Sequence, residues 1–116
     1  MLAFLIVDGD RNFGEALAIA LRLDGHLAVA TTDVDEACDR IRAVRFDCAL
    51  VDAHLEGGDA LLEVASGAGI RAIATSPHED LLQAAAARHP HADALPKPFG
   101  VDDLVARAER RAATAA

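Results

Sequence analysis

"LAFLIVDGD", Leu2 to Asp10, is an apolar run that ends in two carboxylates with a glycine between them. Such a run is too short for a typical helix and reads as a buried strand. The same form returns at "HLAVA" (26–30), "CALV" (48–51), "IRAIA" (70–74) and "ADAL" (92–95), each followed by polar or turn residues, which gives five expected strands. Helical spacing fills the intervals: Phe13, Leu17 and Leu21; Val34, Ala37, Ile41 and Val44; Leu61, Leu62 and Ala65; Leu81, Ala84 and Ala85; and Val101, Leu104, Val105 and Ala108. Asp10, Asp33 (with Glu36 three residues on) and Asp59 are the expected N-caps of the first three helices. The fourth helix, on the alanine-rich "LLQAAAARH", has a thin apolar face, and the terminal "AATAA" is expected to fray.

The whole chain, 1–116, therefore reads as one (βα)5 domain with a parallel sheet, right-handed crossovers and helices on both faces. In that architecture ligands bind beyond the carboxyl ends of the strands, where the strand order reverses.

Composition narrows the chemistry. Nineteen acids against eleven bases give a net charge of −8, which repels phosphate backbones and argues against direct nucleic-acid binding. With no Trp, no Tyr and four Phe, a stacking surface for single strands is also missing. No apolar run is long enough to cross a bilayer, and the first residues do not read as a signal segment, so the expected location is cytoplasmic. Cys38 and Cys48 show neither metal nor redox spacing.

The residues that come after the apolar runs are Asp8 and Asp10, then Thr31 and Thr32, then Asp52, then Thr75 and Ser76, and finally Lys97. Lys97 is the only lysine in a chain with ten arginines. Clustered carboxylates repel unless a cation neutralises them, which suggests a hard divalent ion, Mg2+, with oxygen ligands. A hydroxyl and an ammonium opposite would bind phosphoryl oxygens. Together these groups make a phosphoryl-transfer site, where positioning and charge neutralisation do most of the catalysis.

At this point the chain resembles the receiver domains of two-component response regulators, through "FLIVDGD", "DCALVDAHLEGGDALLEV", "AIATSPHED" and, most specifically, "ADALPKPF". The resemblance implies a flavodoxin-like fold with strand order 2-1-3-4-5. It implies Asp52 as phosphoacceptor, Asp8 in an acidic pocket, the backbone carbonyl of His54 as a metal ligand and Lys97 as partner of the phosphoryl group. Matching "SPHED" selects Ser76 as the site hydroxyl, the favoured reading, whereas counting back from Lys97 selects Thr75.

Several positions depart from the family pattern. Gly9 replaces the second of two adjacent acids, so Mg2+ binding is expected to be weakened unless Asp10 or water substitutes; the N-cap reading of Asp10 is the simpler one. Ala94 stands where a switching aromatic is usual, Glu56 where a proline is usual and Ala60 where a glycine is usual. His54 and His78 match positions bordering the path of the hydrolytic water, or are plain loop residues, as His89 and His91 are expected to be.

The leading functional reading is a stand-alone, non-enzymatic receiver, phosphorylated by a histidine kinase or phosphotransfer protein and signalling to a protein target, as monomer or homodimer. An alternative is a degenerate receiver that binds its partner independently of phosphate. A third, from another class, is a haloacid dehalogenase-type phosphatase with Asp8 as nucleophile and Asp10 as acid/base, since "DGDRN" also resembles that motif.

Overall fold

The structure is a computed structural model that describes the backbone of residues 1–115 and the side chains of residues 1–110. Strands and helices alternate without exception: β1 (Ala3–Val7), α1 (Arg11–Leu23), β2 (Leu27–Thr31), α2 (Val34–Ala43), β3 (Cys48–Asp52), α3 (Gly58–Gly67), β4 (Arg71–Ser76), α4 (Glu79–Arg88), β5 (Asp93–Pro96) and α5 (Val101–Ala115). The sheet order is β2-β1-β3-β4-β5, and every pairing is parallel. This is the flavodoxin-like, doubly wound arrangement expected from the sequence. The order reverses at β1, which places the crevice between the ends of β1 and β3.

The apolar runs lack polar alternation because both sheet faces are covered. Leu5, Val7, Ala49, Val51, Ala72 and Ala74 pack on one face with Ile41 of α2, Leu61 and Leu62 of α3 and Leu82 of α4. Phe4, Ile6, Leu50 and Ile73 pack on the other with Leu17 and Leu21 of α1 and Leu104 of α5. Each fully buried Leu, Ile or Phe contributes about 1.5–3 kcal/mol, so these two layers are the main favourable term holding the strand ends in place. Among the described residues, no helix is long and apolar enough to cross a membrane.

Two caps form as expected. Asp10 accepts the Phe13 N–H, and Asp33 accepts those of Asp35 and Glu36. Glu36 does not reach back to close a capping box; its carboxylate accepts from the Thr31 hydroxyl and from Arg40.

The third cap is a correction. Helix α3 is entered through Gly57 at φ 84°, with no side-chain cap, and Asp59 lies inside the first turn. A left-handed entry is a glycine conformation, and a Cβ on Gly57 would also crowd Val34 at 3.3 Å. Its neighbour Gly58 lets α3 start close to the strand end, since a Cβ there would lie 3.1 Å from the Asp52 carbonyl oxygen. Helix α4 begins at Glu79, two residues before the alanine-rich stretch. The α5 backbone stays helical through Ala115, across the tail expected to fray, and Ala116 lies outside the described residues.

Candidate functional site

The polar residues at the carboxyl edge belong to four strands. Asp8 follows β1, Asp52 closes β3, Thr75 and Ser76 close β4, and Lys97 follows β5. The register Val7↔Val51 brings Asp8 and Asp52 to neighbouring positions, and Asp52 pairs with Thr75.

Lys97 Nζ lies 2.7 Å from Asp8 Oδ2. In the sheet, β5 and β1 are separated by β4 and β3, so this ion pair spans the ends of both, including the strand end that carries Asp52. Asp8 is only 3% exposed, and its other oxygen accepts the Asp10 N–H at 2.8 Å. The Lys97 ammonium also sits 4.1 Å from the centroid of the Phe13 ring, a cation–π contact that holds it on the α1 side. An ammonium has three donors, and the Asp8 carboxylate takes one.

Asp52 is half-buried. One of its oxygens accepts the His54 N–H at 2.9 Å and the other accepts the Gly9 N–H at 3.3 Å. Gly9 therefore contributes a backbone donor where the family pattern has a carboxylate. Its own φ lies outside the left-handed region, and a Cβ there would meet only Asp52 Oδ2 and Leu55 at an ordinary 3.7 Å. Asp52 keeps unspent acceptor capacity, since a carboxylate has about four lone-pair sites. Asp10 caps α1 through Oδ1.

The two hydroxyls are used differently. Thr75 Oγ1 donates to the Leu95 carbonyl at 2.7 Å, tying β4 to β5. Ser76 Oγ accepts the His78 N–H at 3.0 Å, and among the described residues no acceptor takes its own proton. His54 and His78 meet edge-on, ring centroids 5.1 Å apart, one from the loop after β3 and one from the loop after β4.

Among the described residues no three or more His, Cys, Asp or Glu side chains form a cage for an ion. Two carboxylates side by side are a thin donor set. They fit Mg2+, which is bound through one or two carboxylates, keeps several waters and takes phosphate oxygens, better than they fit zinc. Asp8 is buried, with one oxygen on Lys97 and the other on the Asp10 N–H, whereas Asp52, whose oxygens accept backbone N–H groups, lies nearer solvent.

Two contributors are not apparent from sequence. The spacing of Phe13 marks it only as a core position of α1, and Gly9 shows only as a lost ligand; an Asp-Gly-Asp step at a strand end was the available signal that a backbone N–H points across to the neighbouring strand.

Fold and rim together define a flavodoxin-like α/β domain with an acid–lysine site at the carboxyl edge of its sheet. No family model matches the chain. Over 111 residues it is 36% identical to a response regulator receiver protein of Anaeromyxobacter sp. (strain Fw109-5), covering 90% of this chain and 46% of that protein. The chain thus spans about half the length of the curated relative it matches. Among solved structures, NtrX from Brucella abortus superposes with a TM-score of 0.81 at 28% identity, over 97% of this chain and 27% of that one. A response regulator receiver protein from Burkholderia phymatum superposes with a TM-score of 0.80 at 25% identity, over 94% of this chain and 96% of that one. The chain is thus similar in sequence and in fold to the receiver domains of response regulators.

Proposed function

We propose that Asp52 accepts a phosphoryl group from a phosphohistidine of a histidine kinase or phosphotransfer protein. The observation that carries this reading is the Lys97–Asp8 ion pair laid across the strand end that holds Asp52. An Asp52 oxygen attacks phosphorus, the phosphorus–nitrogen bond breaks, and the freed imidazole takes up a proton while an acyl phosphate remains. Lys97, with donors left over from Asp8, is suited to receive a phosphoryl oxygen, and the Ser76 hydroxyl has a proton to donate to another. Asp8, Asp52 and the His54 carbonyl are the groups that would hold Mg2+, which when bound offsets phosphoryl charge. With Gly9 supplying no oxygen, this binding is weaker than with a full acidic pair.

Output passes by protein–protein contact in the cytoplasm, as a monomer or homodimer, because a net charge of −8 disfavours direct contact with nucleic acid. A second reading, a receiver that binds its partner without phosphate, is favoured by Gly9 and by Ala94, which leaves no aromatic at the expected switch position. The test is incubation of wild type, Asp52→Asn and Asp8→Asn with Mg2+ and acetyl phosphate, followed by intact mass. A phosphoryl adduct on the wild type that Asp52→Asn abolishes and Asp8→Asn only slows supports the proposal. An adduct lost only in Asp8→Asn, with turnover of phosphate esters, supports the phosphatase, and no adduct even under rapid quenching supports the phosphate-independent module.

A further inference from the structure

His89 was expected in a loop, yet it is 6% exposed and sits at the C-terminal end of α4 against α3. Its two ring nitrogens face two carboxylates. Nδ1 lies 2.6 Å from Glu63 Oε2, and Nε2 lies 2.7 Å from Asp59 Oδ1. Asp59 and Glu63 are four residues apart on α3, so they stand one turn above another on the same face.

A neutral imidazole carries one N–H and one lone pair. It can donate to one of these carboxylates, and would then turn its lone pair toward an anionic oxygen at hydrogen-bond distance. Only the imidazolium donates to both. The arrangement of the three side chains therefore selects the charged ring, independently of any other property of the site.

The other charges nearby do not replace it. Arg88, the preceding residue on α4, donates to the same Asp59 oxygen from Nε at 3.2 Å and Nη2 at 3.1 Å. Among the described residues it leaves Glu63 to the ring alone. His91 lines the open groove beside Glu63, with Ser66 and Gly67. The groups facing the imidazole are thus the two acids of α3, with Arg88 from its own helix on one of them.

We propose that the His89 imidazolium is a proton-dependent latch that ties the C-terminal end of α4 to α3. The opposite end of α4 begins at Glu79, just after Ser76 and His78, so slackening the latch loosens the helix that leaves the rim. The latch does not depend on which residue accepts a phosphoryl group.

Burial by itself would push the His89 pKa down. The hydrogen bonds to Asp59 and Glu63, together with their charges, outweigh it and hold the ring above the ordinary value of 6.5. A group whose folded pKa is raised stabilises fully below its unfolded value and loses that contribution as pH rises through the folded one. The latch is therefore closed in mild acid and opens on the alkaline side of 6.5.

The test uses the full chain. Imidazole nitrogen shifts are followed by NMR across a pH titration, and amide exchange in α4 is compared with that in α1 after correction for intrinsic rates. His89 is expected to titrate above 6.5 with both ring nitrogens protonated below its midpoint, and α4 protection is expected to fall through the same range while α1 stays level. Glu63→Gln, an exposed position that does not threaten the fold, is expected to lower the midpoint and flatten the α4 response; His89→Gln, if it folds, is expected to abolish that response. A ring that titrates at or below 6.5, or an α4 response equal in wild type and Glu63→Gln, would overturn the latch.

Discussion

Two clusters of acids and bases sit at opposite ends of the sheet, and they are built on different rules. At the amino end, Asp93 opens β5 between two arginines. Arg71 Nη2 reaches one of its oxygens at 3.1 Å and Arg107 Nη1 the other at 2.9 Å, and Arg107 also donates to the Ala94 carbonyl. Every oxygen of that carboxylate is taken by a guanidinium, a group whose planar fork suits carboxylates. Both Asp93 oxygens are engaged, and the cluster pins β4, β5 and α5 together.

The carboxyl-end cluster uses a lysine, a point charge with donors to spare, against a buried Asp8 and a half-buried Asp52 held only by backbone N–H groups. At the amino end both carboxylate oxygens are taken by guanidinium groups, although Arg71 Nε is left without a partner among the described residues, whereas at the carboxyl end the lysine and Asp52 keep capacity at the rim.

The contrast can be broken in either direction. The largest expected effect is Asp52→Asn: phosphoryl uptake vanishes, while the free energy of urea unfolding stays within about 0.5 kcal/mol of wild type, as for a substitution that removes no packing. Asp93→Ala is expected to do the reverse. It leaves two half-buried guanidiniums without their anion, at a cost of about 3 kcal/mol in urea unfolding, while acetyl phosphate still labels the protein.

Gly9→Asp probes the rim more gently. The space beside Asp52 accepts a Cβ, so the added carboxylate is expected to cost about 1 kcal/mol, and to tighten Mg2+ several-fold in an NMR titration of the Gly58 and His54 amides. Unchanged Mg2+ affinity would mean that the missing carboxylate at this position is not what weakens the metal.

The smallest effect is in acid. Burial tends to raise the Asp93 pKa, but the Ala94 N–H and the two arginines outweigh it and hold it below 3.8. A depressed carboxylate contributes stability above its unfolded value and loses it as pH falls through the folded one. The stability difference between wild type and Asp93→Asn is accordingly expected to be constant above 3.8 and to shrink below it.

The strands and the rim were legible in sequence because their cause is local. An apolar run covered on both faces shows no alternation, and the residues just past its end must lie at one edge of a parallel sheet. Lys97 could be expected on the same rim as Asp8 and Asp52, by its solitude and its position after β5, whereas its ion pair with Asp8 is a finding of the structure. Contacts between elements distant in sequence left no such trace. His89 meets Asp59 and Glu63 across 30 and 26 residues, and Arg71 meets Asp93 across 22, so nothing in helical or strand period announces either cluster. Asp59 illustrates the cost: an acid near a helix start reads as a cap, whereas Gly57 with positive φ turned the chain and freed that carboxylate for α4. The different engagement of Thr75 and Ser76 was equally hidden, because it depends on which hydroxyl donates to the neighbouring strand.

The central claim is most directly tested by trapping the modified residue. After brief exposure to acetyl phosphate and Mg2+, borohydride reduces an acyl phosphate to homoserine, and peptide sequencing by mass spectrometry shows where. Homoserine at position 52, and absent from Asp52→Asn, is the expected result; homoserine at position 8, or phosphate retained on a histidine or serine instead, would contradict it.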